Sequence, residues 1–552
     1  MRLFKQTAIL FKKNKRLWLI ILGYMGINLF LIYRRAGMAL GTEITLLEPT
    51  RQILFLCPQV LILYLIVGYE FFSESYRNHL DEAILATSKG YRGHSSAMNF
   101  ILMITVLFVN YMVFLEFDIG VTFRSFNFHG ITDSDHMAVT YISMCLFVNI
   151  FLLGLIGIFI ALVISRIRKR IAAYAVIMAV VLCTSYLLNE IADLIMIMTD
   201  YAVNLYSILD IINVMTPGLK FVSNTALGFP MMTYRISLIC FWIAVLALIA
   251  FLQHEKRLSL KSGICVILCV LAFIGYALPS SRVDMGLSSS GTAMADQHYY
   301  GVNQYHIEEK KSDFNVKRYV MELDVRRLLK AKVQIETSKV LNKYHFTLSH
   351  SYNVESVNDE NGQKMEFSRN GDALLIDNEK SKTKVFTVVY SGSNEAYYAN
   401  SQGINLRGSF PYYPIPGYKQ ISFDGFNMCQ LFLEEEAQFD IRIKSRKKIF
   451  SNLETDGHGH FFGRSEGATL LSGLYTEKTM KGVRIVYPPF IGWGPEDLES
   501  VADGVIRDHY ENRQIFITPN VNRQDDAIGK EQIITRNYFT SVDEDLFPYT
   551  GE

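Results

Sequence analysis

Charge is scarce and balanced in this chain. Charged residues fill 19% of its 552 positions, and 54 Lys and Arg face 53 Asp and Glu, a formal net charge of +1. A nucleic-acid binder shows a basic surplus, and none is visible, so that class is set aside. Cysteine is sparse as well. Of the seven, Cys57, Cys145, Cys183, Cys240, Cys265 and Cys269 sit in apolar runs, where a thiol behaves as a small hydrophobe, and only Cys429 lies in the polar half. One thiol cannot close a disulfide within that half, and no CxxC or Cys/His spacing suggests zinc. The pattern G-x-x-x-x-G-K-S/T is missing, so the chain has no P-loop to cradle nucleotide phosphates. From Pro279 to Glu552 no apolar run is long enough to span a membrane.

What is abundant is apolar side chain: 50% of residues, with a mean hydropathy of +0.18. That is too greasy for an ordinary soluble enzyme and too polar for a chain lying wholly in lipid. The excess is confined to the first half. A membrane helix needs about 20 apolar residues to cross about 30 Å of hydrocarbon. The candidate runs are Leu17–Tyr33, Ile53–Tyr69, Phe100–Phe117, Met137–Ile164, Ile171–Leu188, Ile236–Leu252 and Ile264–Leu278. Basic residues stay on the cytoplasmic side. Arg2, Lys5, Lys12, Lys13, Lys15 and Arg16 before the first run, Ser165-Arg-Ile-Arg-Lys-Arg170, and His254-Glu-Lys-Arg257 with Lys261 then all fall inside. Arg34-Arg35 is the one pair this scheme places outside. An odd number of spans carries the polar half out of the cell. Phe4, Ala8 and Phe11 recur at helical spacing before the first run, which reads as a short interfacial helix over residues 1–16. Between Asn189 and Arg235, Asp193, Asp200, Asp210 and Pro217-Gly218 interrupt the apolar stretches, so helices on or in the outer leaflet fit better than a span.

The loop after the second run carries the sharpest pattern of this half. Phe72, Tyr76, Leu80 and Ile84 recur every four residues with Leu85 beside them, while Glu74, Arg77, Asp81 and Glu82 take other faces. This is an amphipathic helix over residues 71–88: one face suits the membrane domain, the other a soluble partner. With Glu70 at the end of the run and Leu85-Ala86-Thr87 at the end of the helix, the stretch resembles the permeases of type-2 ABC exporters. It departs from them at Ser88, where proline is common, and at Asn78-His79, where Gly-Thr is common.

The resemblance implies a permease domain over residues 17–279, with six core spans and Ile264–Leu278 as a seventh. It implies that the helix docks on a cytoplasmic ATPase, with Glu70, Glu74, Tyr76, Arg77, Leu80, Asp81, Glu82, Ile84 and Leu85 as the coupling residues. ATP and magnesium would sit on that ATPase; this chain would bind no cofactor. A second permease chain, identical or related, and membrane lipid complete the expected partners. The expected place is a bacterial cell membrane, multi-pass, with the N-terminus inside.

After a Ser/Gly-rich tether (residues 280–318), the pattern turns to β. Tyr344–Ser349, Ala373–Ile376 and Lys384–Tyr390 read as strands, and Asn361-Gly362 and Asn370-Gly371 are turn signals between alternating segments. Short strands at close spacing predict a sandwich over residues 319–490. Phe439–Ile443 and Val483–Tyr487 extend it, and a mixed α/β segment over residues 491–552 follows, with Glu496–Asp503 helix-like and Gln514–Thr518 strand-like.

Phe386-Thr-Val-Val-Tyr-Ser-Gly392, Tyr412-Tyr-Pro-Ile-Pro-Gly417, Ser451-Asn-Leu453 and Gly473-Leu-Tyr475 make Tyr319–Pro489 resemble the N-terminal β domain of aminopeptidase-N-like zinc peptidases. The family's H-E-x-x-H is missing. His254-Glu-Lys-Arg-Leu258 begins like it and lacks the second histidine. The chain itself is therefore expected to be non-catalytic and metal-free, a domain that has kept the shape and lost the chemistry. Two further patterns weigh little. Gly463-Arg-Ser465-Glu-Gly467 fits a nucleophile elbow but has β flanks on both sides, and His458-Gly-His460 lacks a third metal ligand.

The reading is thus a multi-domain membrane protein: an α-helical bundle followed by an extracellular β-rich domain, exporting a peptide, lipid-like or other amphipathic cargo with ATP hydrolysed elsewhere. Its rival is a membrane-tethered receptor that captures peptides without transport.

Overall fold

The two compositions fold apart. The computed structural model divides into one unit of Met1–Ser223 and Met231–Ser281 and another of Asn224–Pro230 and Arg282–Glu552. It describes most of residues 8–38, 57–77, 91–125, 133–199, 226–227, 233–255, 260–277, 296–488, 495–507, 513–518 and 527–536, with a few single positions besides.

The first unit is helical: α1 (Lys15–Met38), α2 (Cys57–Arg77), α3 (Tyr91–Ser125), α4 (Asp133–Leu146), α5 (Leu153–Ile164), α6 (Arg170–Thr184), α7 (Leu187–Met198), α8 (Thr233–Glu255) and α9 (Leu260–Ala277). Among the described residues, four stretches are long and apolar enough to cross a membrane: Ala97–Val121, Ile142–Ile164, Ile236–Gln253 and Leu260–Ala277.

Two of the seven runs differ from their linear reading. Met137–Ile164 is interrupted by a π-helical turn, Phe147–Leu152, where the Asn149 amide donates to the Cys145 carbonyl at 2.9 Å. Ile171–Leu188 is cut at Thr184, leaving α6 only 15 residues long. Thr184 Oγ1 donates back to the Val180 carbonyl at 2.8 Å and Ser185 Oγ to that of Leu182 at 3.0 Å. Such hydroxyls compete with the helix ladder. Fifteen residues rise about 22 Å, short of a full crossing. The 12 residues of α7 rise less still, as expected for the interrupted segment that follows.

Glycine lets α2 and α5 approach closely. A Cβ on Gly157 would lie 2.6 Å from the Leu61 carbonyl oxygen, and one on Gly68 would lie 2.8 Å from the Ala161 methyl. Small residues at a helix–helix seam replace the missing hydrophobic drive inside lipid with close van der Waals contact.

The second unit is built on a seven-stranded sheet of β1 (Val316–Val325), β2 (Leu329–Thr337), β3 (Tyr352–Asp359), β4 (Val385–Gly392), β5 (Ala437–Lys444), β6 (Glu454–Thr455) and β7 (His460–Ser465). Their order across the sheet is β6-β7-β5-β1-β2-β4-β3. All neighbours are antiparallel except β1 and β5. Alternation decides the faces: Tyr319, Met321, Leu323, Val333, Ile335, Phe439 and Ile441 are buried, while Glu322, Lys332 and Arg442 between them are exposed. The buried face packs on the shorter strands Lys343–Thr347, Ala373–Asp377, Ile404–Leu406 and Leu470–Ser472 to make one core. Two of the buried tyrosines there bond to backbone carbonyls: Tyr319 donates to that of Pro414 at 2.8 Å and Tyr390 to that of Tyr412 at 2.7 Å.

A smaller five-stranded sheet follows, with β8 (Thr476–Met480), β9 (Val483–Tyr487), β10 (Gln514–Thr518), β11 (Ala527–Ile528) and β12 (Gln532–Arg536) in the order β8-β9-β10-β12-β11. Helix α10 (Pro495–Arg507) crosses between the parallel strands β9 and β10. Leu498, Val501, Ala502 and Val505 of that helix cover Ile485, Ile515, Ile517 and Ile533, and the opposite side chains Val486, Phe516 and Ile534 enter a separate core with Phe450, Leu471 and Tyr475.

Candidate functional site

Helix α2 runs unbroken from its buried stretch (Val60, Leu61, Tyr64, Leu65, Val67) through Glu70 to Arg77. At the end of that stretch three separate segments converge. Glu70 Oε2 accepts from the Arg170 guanidinium at 3.2 Å, and Glu70 Oε1 accepts from the Tyr174 hydroxyl at 2.9 Å, which ties α2 to the start of α6. Asn14 Nδ2 donates to Glu74 Oε2 at 3.3 Å. Phe11 is buried edge-on against both Trp18 and Phe71, with ring centroids 5.4 and 5.1 Å apart.

Of the coupling residues read from the sequence, Glu70 and Glu74 therefore meet as two ties of one node. Tyr76 and Arg77 lie on α2 just beyond it. Leu80, Asp81, Glu82, Ile84 and Leu85 lie outside the described residues. The node brings no chemistry to bear. It ties the end of α2 to the segment just before α1 and to the start of α6. Because the Glu70–Arg170 pair is partly exposed, each partner is worth about 1 kcal/mol or less. Glu70→Arg is expected to lower the melting temperature of the helical unit by a few degrees. Glu70→Arg with Arg170→Glu is expected to restore it, read by thermal scanning fluorimetry in detergent. Equal loss in the single and double variants contradicts the node.

In the β-rich unit the two weak patterns resolve into structure. Ser465 closes β7, is fully buried, and holds a turn by donating to the Gly467 carbonyl at 3.0 Å. The helix that a nucleophile elbow needs does not follow it; the strand Leu470–Ser472 does. His460 lies between Asp456 at 2.8 Å and Asp440 at 3.1 Å, and hydrogen bonds to both hold its imidazole above the ordinary value. Among the described residues no group of three or more His, Cys, Asp or Glu is placed to hold a metal ion.

A buried charged cluster among the described residues has no counterpart in the sequence patterns. His350 Nε2 lies 3.3 Å from Asp296 Oδ1, and its Nδ1 lies 3.3 Å from Asp372 Oδ1. Tyr299 stacks on the ring at 3.7 Å, and Tyr300 donates to Asp372 Oδ2 at 2.9 Å. Burial alone would lower the His350 pKa; the hydrogen bonds and charges of the two carboxylates overcome it and push it up to about 9. Both ring nitrogens then carry protons and face carboxylates. The cluster closes the entry of the chain into the sandwich, since Asp296, Tyr299 and Tyr300 precede β1.

No protein-family model and no curated protein matches the chain. Solved structures do. It is similar to yeast LTA4 hydrolase in complex with bestatin at 14% identity and a TM-score of 0.28, over 41% of this chain and 40% of that one. It is similar to the M1 zinc metallopeptidase from Deinococcus radiodurans at 13% identity and a TM-score of 0.29, over 41% of this chain and 60% of that one. The chain thus spans less than two thirds of either neighbour, and likeness at these scores carries no activity over to it.

Proposed function

We propose that this chain is the permease subunit of an ABC transporter, driven by a separate ATPase and exporting a peptide, lipid-like or other amphipathic cargo. In this reading the N-terminus and the end of α2 face the cytoplasm, six spans with a seventh form the helical bundle, and the β-rich unit lies outside the cell. The observation that supports it best is the node at Glu70 and Glu74. A helix that runs without a break through Glu70 to Arg77, braced there by the segment before α1 and by α6, suits a lever pushed by a soluble motor. The amphipathic pattern from Glu74 to Leu85 supplies the face for that motor.

The test is Leu80→Ala with Ile84→Ala. Each truncation removes buried apolar area worth about 1.5–3 kcal/mol at a well-packed contact. Together they should weaken the association with the ATPase by about a hundredfold or more, read as ATPase recovered per mole of purified chain. Undiminished recovery contradicts the proposal.

A further inference from the structure

The β-rich unit contains a piece of chain that belongs, by sequence, to the other half. Asn224–Pro230 is part of this unit although the residues on both sides of it belong to the helical one. The chain therefore passes between the units at three points rather than one. Within the segment Ala226 is fully buried and Leu227 nearly so. The Ala226 carbonyl accepts from the Leu474 backbone N–H at 2.6 Å. Ala226 shares a core with Phe450, Leu471, Tyr475, Val486, Phe516 and Ile534. Those residues form the seam where the strand Leu470–Ser472 of the sandwich meets the uncovered face of the β8–β12 sheet.

Two glycines shape the seat. Gly473, at φ +155°, would place a Cβ 2.5 Å from the Ala226 carbonyl oxygen, and Gly403 would place one 2.5 Å from a Leu227 methyl. A larger residue at Gly473 collides with the backbone of the segment, and one at Gly403 pushes on the Leu227 methyl and meets the Ser472 carbonyl oxygen at 2.8 Å. An exposed connecting loop does not need a fitted seat with two glycines, a backbone hydrogen bond and a share of a core; loops ordinarily run over the surface.

We infer that Ala226-Leu227 is an anchoring strap of the β-rich unit. It fills the seam between the sandwich and the helix-covered sheet: Ala226 completes the apolar core there and its carbonyl ties down Leu474. This goes beyond the transport reading and does not depend on it, because its test needs neither ATP nor cargo.

The test is hydrogen exchange of the full chain in detergent, read by mass spectrometry. Leu227→Asp and Gly473→Ala should each speed exchange about tenfold or more at Leu474 and over residues 404–406 and 470–475, which answers to loss of one buried hydrogen bond and its packing. Exchange over β1 and β2 should stay as it was. Photo-leucine incorporated into the unaltered chain should cross-link residue 227 to peptides containing Gly403 or Gly473, a readout that does not require a variant to fold. If the cross-link is missing, or both variants leave seam exchange unchanged, the strap is overturned.

Discussion

Replacing Gly157 by valine is expected to separate α2 from α5 and leave the helical unit unable to hold its native packing. The Cβ of any residue there lies 2.6 Å from the Leu61 carbonyl oxygen, 3.2 Å from the Leu65 nitrogen and 3.3 Å from the Tyr64 Cβ. The obstacle is the backbone of a neighbouring helix, so no rotamer change relieves it. Overpacking a core costs about 1–3 kcal/mol when side chains can yield, and more is expected where only a helix can. Gly154→Ala is the internal comparison. Its Cβ meets the Leu107 methyl at 2.5 Å, the far end of a flexible side chain. A loss several-fold smaller is expected there. Gly23→Ala, with nothing within 4 Å of its Cβ, should be neutral or slightly stabilising. Detergent-solubilised melting curves of the three variants check the order.

The β-rich unit is expected to lose stability as pH rises through about 9, and His350 is the cause. Its folded-state pKa, about 9, stands above the ordinary histidine value of about 6.5. A raised pKa means that the folded state holds the proton more tightly than the unfolded chain. The resulting stabilisation is fully present below about 6.5 and is lost as pH rises through about 9. A gap of that size corresponds to roughly 3 kcal/mol, enough to matter against the 5–15 kcal/mol of a typical domain.

His350→Gln should be at least as costly at neutral pH, because Asp296 and Asp372 would then face each other without a cation between them. Arg369 is near Asp372 but spends its guanidinium on the Leu348 and Ser349 carbonyls, at 3.0 and 2.5 Å. Melting of the full chain between pH 6.5 and 9.5 should show the slope in the unaltered protein and lose it in His350→Gln. A slope that survives the substitution assigns it to other groups.

Much of the β-rich unit was legible from local pattern. Lys384–Tyr390 and Phe439–Ile443 alternate cleanly, and β4 and β5 form there because one face of the sheet is buried and the other wet. Asn370-Gly371 marks a hairpin whose Gly371 sits at φ +56°. Glu496–Asp503 falls inside α10. Helix interruptions were less legible. Hydropathy averages over a run, so it does not register that Thr184 and Ser185 turn their hydroxyls back on the helix, or that the ladder slips at Asn149. The His350 cluster left no sequence signal, because His350 stands 22 positions from Asp372 and 50 from Tyr300, and only the fold brings them together. Ala226-Leu227 is ordinary apolar sequence, and only the folded seat around it distinguishes it. At α2, the spacing of Phe72 and Tyr76 falls on the helix Cys57–Arg77, while Leu80 and Ile84 lie outside the described residues. That spacing did not reveal that Glu70 accepts from Arg170 and Tyr174, because those partners stand a hundred or more positions away.

The most direct measurement is recovery of the chain from mildly solubilised membranes by a tag on its own N-terminus, followed by assay of the eluate for bound ATPase. The account predicts an ATP-binding polypeptide in near-stoichiometric amount and ATP hydrolysis in the purified complex. A chain that elutes alone, with no hydrolysis and none gained on cross-linking before solubilisation, contradicts it.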